Sequence, residues 1–551
     1  MWDKKAMGYP RLDFLFQFPP TRFSSMFLTD YWNSFTARER RNMAIYILGI
    51  MLYKFGLEAF NGSIVTLATD RFKAANTFSK LGALTGLNQA MQVVGSILIA
   101  PLIKAFPTRS VLSSAILVFG LITTLFLIID AATGGKPRIN NGGKLKYGSW
   151  DPNALFPLYM ISGIAYGMVE LIRRIIPRDI VGGDVQKLKK MDATVHILYE
   201  IAGTCGALVS VKLIKVFGNN FSFLITPPLF ALAGLTWRFI DQLNHGSDAA
   251  KVIDALDEGH TVGQGSYISS VFTGAKTFAR STYKGAVICF SHRRFIWLLP
   301  GYSFALYGHR YLENAISPAI AKRIMLDSSY SQIMVCGSNL GELFGAAFVL
   351  VTTTYIQTPL PFLRFDALAL LIVWALPAYS HQIQPHQAFY AWRIAAMFIP
   401  VSMGWAAGDV SLAAFIQASL ARMESTDTQV SALGSVMAFL YSSYIITYAI
   451  LGSLLGTYID KVFAKDGNIY RALVNIGGVH FTVLSAIIIA STMVPKGAFS
   501  FNPKMINDAN LDGPTDLEQQ REDVPEADSL PHEKQQEKDS GSTSSVERKP
   551  Q

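Results

Sequence analysis

Charged residues are scarce in this chain. Asp, Glu, Lys and Arg make up 16% of its 551 residues, where soluble domains carry about a quarter. The few charges gather in short polar clusters between long apolar runs, which excludes an ordinary soluble domain. Cysteine is scarcer still: Cys205, Cys289 and Cys336 are the only three. No paired spacing points to a disulfide framework or a zinc site, so they read as small buried hydrophobes. A phosphate-cradling Gly-rich loop ending in Lys-Ser/Thr is missing, which removes ATP as an engine. No nucleophile stands beside a base, so no enzyme is expected and no cofactor is implied. Period-two alternation is absent, which excludes a membrane β-barrel. Met1–Arg41 lacks the short apolar core and small-residue exit of a cleavable signal, so the first apolar run is expected to act as an uncleaved insertion signal.

What the chain has is hydrophobic residues, half of the total. They form runs that mostly reach the roughly 17–25 residues a helix needs to cross a bilayer. Lipid offers the backbone no hydrogen-bond partners, so these runs are expected to be helices. The reading gives twelve spans: Asn42–Leu67, Leu81–Ile103, Val111–Ile129, Ala154–Ile176, Ala193–Ile214 and Phe221–Ile240, then Phe295–Ile320, Ser331–Thr353, Phe362–Ala378, Ala391–Gln417, Ser431–Gly456 and Val474–Met493. Residues 1–41 form an amino-terminal tail. Residues 42–240 and 295–495 form two six-helix halves. A polar loop over 241–294 separates them, with a short amphipathic helix expected around Ala249–Leu256. Residues 496–551 form a polar tail expected to be disordered.

An even number of spans puts both termini on one side, and basic residues identify it as the cytoplasm. Arg38, Arg40 and Arg41 precede the first span. Arg173, Arg174, Arg178, Lys187, Lys189 and Lys190 crowd the loop between the fourth and fifth, and Arg280, Lys284, Arg293 and Arg294 precede the seventh. The net charge of +9 therefore reports membrane topology and not a nucleic-acid partner. The other side also holds Lys136, Arg138, Lys144 and Lys146, so the bias is moderate. A sequon at Asn220-Phe221-Ser222 falls in the outward loop close to the membrane, and a second at Asn61 lies inside the first span.

The halves echo each other. Gly163-Ile-Ala-Tyr-Gly167 with Glu170 matches Gly404-Trp-Ala-Ala-Gly408 with Asp409. Gln92-Val-Val-Gly95-Ser96 matches Glu342-Leu-Phe-Gly345-Ala346, and Leu57-Glu58-Ala59 matches Leu312-Glu313-Asn314. Each pair is six spans apart and in the same order. This layout resembles the major facilitator superfamily over about Asn42 to Met493. The segment from Gly95 through Pro101 to Arg109 is similar to that family's loop between the second and third spans. Arg109 fits the pattern, but Lys104 stands where the family has an acid and Pro107 where it has glycine. The Ala-Pro-Leu phrase resembles fungal general-substrate and efflux members. The resemblance implies an all-α integral membrane bundle of twelve transmembrane helices in two pseudo-symmetric halves, with the first, fourth, seventh and tenth spans and parts of the second, fifth, eighth and eleventh around a central path.

A charge at mid-membrane costs roughly 2.5 kcal/mol or more, so such residues mark pairs or function. The substrate and proton candidates are Lys54, Glu58, Glu170, His196, Glu200, His309, Arg310, Glu313, Glu342 and Asp409. All fall on spans that line the path in the resembled family, and none is expected deep in the third, sixth, ninth or twelfth. Lys54 and Glu58 read as an ion pair or a substrate contact. Glu170 and Asp409 read as proton carriers or as partners of Arg173 and Arg393. The His196/Glu200 and His309/Glu313 spacings suit a proton relay, a metal or satisfied core histidines, and no metal is assigned. Asn88 and Asn339, and the aromatic Tyr53, Tyr166, Tyr307 and Trp405, are further wall candidates. Arg109, Arg173, Arg174 and Asp184 are candidates for a cytoplasmic gate, with lipid anchoring and capping by Asp192 as the alternative reading of that loop. The expected function is proton-coupled export of a small organic solute by alternating access from a monomer in the plasma membrane, or the vacuolar membrane. The alternatives are import of a nutrient, siderophore or metal ion, and a non-transporting sensor.

Overall fold

The computed structural model describes residues 34–181, 185–241, 267–352, 355–356, 358–424, 432–495 and 497–500. The first half contains α1 (Ala37–Arg71), α2 (Thr77–Ala105), α3 (Thr108–Ala132), α4 (Leu155–Val181), α5 (Val185–Phe217) and α6 (Thr226–Arg238). Helix α7 (Tyr267–Ser291) follows. The second half contains α8 (299–323), α9 (Ser331–Thr352), α10 (Leu360–Ser380), α11 (Ala388–Glu424), α12 (Ala432–Asp466) and α13 (Tyr470–Ser491). Ten of these are long and apolar enough to cross a membrane. The other two spanning positions are α6, which is short and entered through a 3₁₀ turn at Ser222–Ile225, and α8, which is broken by π turns. One apolar core runs through both halves.

The helices begin and end further out than the apolar runs. Thr36 caps α1 and closes a reciprocal box with Glu39, so α1 starts five residues before the expected Asn42. Helix α4 continues to Val181, and α5 already begins at Val185. Most of the expected loop between them is therefore helical, and Asp192 lies inside α5 and does not cap it. Charged side chains are good helix formers once outside lipid, so the helix outlasts its hydropathy. Helix α7 was not foreseen. It packs along α2 and α12, with Tyr267 donating to the Leu98 carbonyl at 2.8 Å. The expected helix at Ala249–Leu256 and most of both tails lie outside the described residues.

Glycines set the closest helix crossings. A Cβ on Gly167 would run into the Gln92 carbonyl of α2, and one on Gly95 into the Ile164 carbonyl of α4. In the second half Gly337, Gly341 and Gly345 of α9 face the Ala395, Ile399 and Met403 carbonyls of α11. The two halves meet along α2 and α12, where Gly82 touches the Gly452 backbone, and along α5 and α9.

These contacts define the repeat. Gly95 meets Ile164 as Gly345 meets Met403, so positions in α4 and α11 are related by 239 residues. Glu170 and Asp409 stand six residues beyond those carbonyls and are equivalent. The Gly163/Gly167 and Gly404/Gly408 match is not equivalent in packing. Gly163 and Gly167 face α2, while Gly404 and Gly408 face Asp366 and Leu363 of α10.

Candidate functional site

Lys54 and Glu58 lie near the middle of α1, on one face because four residues make about one turn. Lys54 Nζ donates to Glu58 Oε1 at 2.6 Å. The ammonium also sits 4.5 Å from the centre of the Tyr199 ring of α5, and the Arg173 guanidinium lies 4.6 Å from the same ring. One buried tyrosine thus carries two cations, an arrangement favoured where water is scarce. Gly203 provides the room: a Cβ there would strike Lys54 Cε and crowd Asn339 Nδ2 of α9. Nearer the face at which α1 begins, Arg173 donates to Glu170 Oε2 from Nε at 3.0 Å and from Nη2 at 2.6 Å. Tyr53 donates to Glu170 Oε1 at 3.0 Å, and Tyr46 to the Arg173 carbonyl at 2.7 Å.

The second half supplies a matching set. A π turn over Leu312–Ile316 interrupts α8. Within it Glu313 meets Arg310, at 2.7 Å from Nη1, and accepts a short hydrogen bond from Ser338. Ser338 also meets Ser402 Oγ of α11 at 2.6 Å. Arg310 Nη2 reaches Glu342 Oε1 at 3.7 Å. Glu342 in turn lies within electrostatic reach of Glu200, Glu313 and Lys54. The two sets form one mid-height layer spanning α1, α5, α8 and α9. A third of the Arg310 side chain, 36%, is accessible at this depth, so an open space reaches the layer.

Three buried polar atoms around that layer have no hydrogen-bond partner: Glu200 Oε2, His196 Nε2 and Asn339 Nδ2. Asn88, by contrast, is occupied with the Tyr159 carbonyl at 2.7 Å. Among the described residues no group of three or more His, Cys, Asp or Glu is placed to hold a metal ion.

His309 turns away from Glu313. Its Nε2 meets Asp366 Oδ1 of α10 at 2.8 Å, and its ring lies 5.4 Å from that of Trp405. Asp366 is fully buried, which overturns the expectation that the ninth span carries no deep charge. Helix α10 begins at Leu360, two residues before the expected Phe362, and turns Asp366 inward. The twelfth span also carries a titratable group, His480, whose Nε2 meets the Tyr307 hydroxyl at 3.3 Å.

The gate candidates sit apart from one another. Arg109 donates to the Ile240 carbonyl and ties α3 to the end of α6, within one half. Arg173 belongs to the Glu170 network. Arg174 lies on α4, and Asp184 falls outside the described residues. A latch that the sequence reading missed joins the halves at the opposite face. Lys322 Nζ pairs with Asp70 Oδ1 at 2.6 Å, and Ser328 donates to Asp70 Oδ2 at 2.8 Å. Asp460 of α12 accepts the Phe78 and Ser79 amides at the start of α2, at 2.9 and 3.0 Å. Arg323, 3.6 Å from Asp460, also donates to the Ala74 carbonyl. No residue spacing links Asp70 to Lys322, so pattern reading had no signal for it. The Asn220 sequon is closed off: its side chain is buried, donating to Asp130 Oδ2 at 2.7 Å and to the Lys146 carbonyl at 3.0 Å.

No protein-family model matches the chain, and no curated protein matches it in sequence. Solved structures do. The chain is similar to the nucleoside transporter NupG, with 14% identity and a TM-score of 0.54 over 83% of this chain and 99% of that one. It is similar to a D-xylose-proton symporter, at 11% identity and a TM-score of 0.53 over 82% and 96%. It is similar to the peptide transporter POT, at 12% identity and a TM-score of 0.53 over 83% and 96%. The chain therefore has the major-facilitator fold, an all-α membrane bundle.

Proposed function

We propose that this protein is a secondary active transporter that moves a small organic solute by alternating access, exporting it in exchange for protons. The observation that carries this reading is the mid-height charged layer, built from both halves and reached by open space, beneath a latched face. Such a layer is costly in lipid and is retained where it binds what passes. Solute would bind between the halves, and rocking of one half against the other would expose it to alternate sides. The basic residues around α1, α4 and α7 support a cytoplasmic location for the face where α1 begins. On that orientation the Asp70–Lys322 latch is an outward gate held shut.

Glu170 and Asp409, equivalent by the repeat, are the proposed proton carriers. Arg173 stands three residues after Glu170, while Leu412 occupies the equivalent place after Asp409. Loss and return of the Arg173 contact would set the Glu170 proton affinity as the halves move. The solved neighbours include a D-xylose-proton symporter, which supports protons as the driving ion and keeps uptake as a second reading.

The test has two arms. Cells with and without the protein are challenged with toxic compounds, and export predicts lower accumulation and higher tolerance of at least one. Purified protein in liposomes then moves that compound under an imposed pH gradient. Glu170→Gln or Asp409→Asn is expected to abolish the pH-driven flux with insertion unchanged. Full flux in both variants removes the proton assignment, and no flux of any compound favours a sensor.

A further inference from the structure

The charged layer does not balance. Lys54 and Arg310 are its two fixed cations, and they stand among four carboxylates, Glu58, Glu200, Glu313 and Glu342. Glu58 and Glu313 hold the short contacts, at 2.6 and 2.7 Å. Glu342 has only a 3.7 Å approach to Arg310. Glu200 is 3% exposed, and its Oε2 has no hydrogen-bond partner. These two carboxylates stand on α5 and α9, the helices that join the halves, within electrostatic reach of each other.

Two carboxylates at repulsive range in a poorly solvated site call for a further positive charge. A buried acceptor without a donor is likewise costly, by about 1–3 kcal/mol. The layer therefore asks for positive charge and for hydrogen-bond donors. Tyr166 lies within electrostatic reach of Lys54, Tyr444 of Arg310 and Tyr441 of both tyrosines, so the layer is bordered by rings with which a cationic organic group can interact. Asn339 Nδ2, three residues before Glu342 on α9 and beside Gly203 of α5, offers a donor to a solute acceptor.

Resting on the transporter reading above, we propose that the solute is an organic cation, with an ammonium or similar nitrogen bound between Glu200 and Glu342.

The test uses the full-length purified protein and a matched panel. Phenethylammonium, benzyltrimethylammonium and rhodamine 6G are compared with neutral 3-phenylpropanol and anionic 3-phenylpropionate, by calorimetry and by thermal shift. At least one cation is expected to bind and raise the unfolding temperature, while the neutral and anionic partners do not. Glu200→Gln and Glu342→Gln should each weaken binding at least tenfold. Glu200→Asp, which keeps the charge, serves if the amides fail to fold and should retain measurable binding. The inference is overturned if no cation in the panel binds, or if 3-phenylpropionate binds as tightly as phenethylammonium. Cation binding without pH-driven flux would remove proton coupling and keep this site. Flux of a neutral or anionic solute with no cation binding would remove this site and keep the coupling.

Discussion

At the scale of single residues, the buried His309–Asp366 pair decides how the second half holds its shape. Both side chains are almost wholly buried, and Trp405 covers the imidazole. Removing one partner of a buried charged pair leaves the other without compensation. Asp366→Ala is expected to cost about 3 kcal/mol. Asp366→Asn keeps an oxygen for the His309 nitrogen and is expected to cost about 1 kcal/mol. Thermal unfolding of the purified variants checks the order; equal losses would show that the hydrogen bond to His309 is not what Asp366 provides. This pair also shows where reading residues in line fails. Lys54–Glu58 was legible because four residues make one helical turn. His309 and Glu313 share that spacing, yet Glu313 pairs with Arg310 and His309 finds a partner 57 positions away.

At the scale of helices, the fold depends on where backbones touch. Gly167 and Gly345 allow α2–α4 and α9–α11 to approach until carbonyls leave no room for a methyl group. Alanine at either position is expected to cost about 1–3 kcal/mol through overpacking. Gly308→Ala meets Leu484 Cδ1 at 3.4 Å, Phe481 Cε1 at 3.9 Å and Leu370 Cδ2 at 4.0 Å, all ordinary contacts. It should be neutral or raise stability by up to about 1 kcal/mol, because alanine favours the helix. Comparing the three variants in one detergent by unfolding temperature tests the contrast, and equal behaviour would contradict it. The spans themselves were legible because lipid leaves only one way to satisfy the backbone. Helix ends were not, since polar helix extends beyond the apolar run. Helix α7 was missed for the same reason: its basic residues interrupt the apolar signal although one side packs on α2 and α12.

At the scale of the molecule, the two halves are joined at one face by contacts between residues far apart in sequence. Asp70 accepts from Lys322, Ser328 and Asn219 at once. Losing this cluster should shift the balance of conformations by about 1.5–3 kcal/mol, roughly ten- to hundredfold. Spin labels on Lys73→Cys and Gln384→Cys, exposed on the latched face, report the distance between halves. Adding Asp70→Ala is expected to populate a longer distance; an unchanged distribution would deny the latch a role in closure. The duplicated architecture was legible in repeated segments, and the mid-bundle charges in their residue types. The latch and the Glu200–Glu342 approach were not, because they depend on how one half docks against the other.

The central physical claim is that the mid-height layer faces a watery path and not acyl chains. The direct measurement places Arg310→Cys in a background with Cys205, Cys289 and Cys336 replaced by serine. The protein is then treated, in sealed vesicles, with a charged, membrane-impermeant thiol reagent applied from one side at a time. The account predicts reaction from the side opposite the Asp70–Lys322 latch, and additional reaction from the latched side once Asp70→Ala is introduced. Modification only by a neutral, lipid-soluble maleimide, from either side and indifferent to the latch, would contradict it.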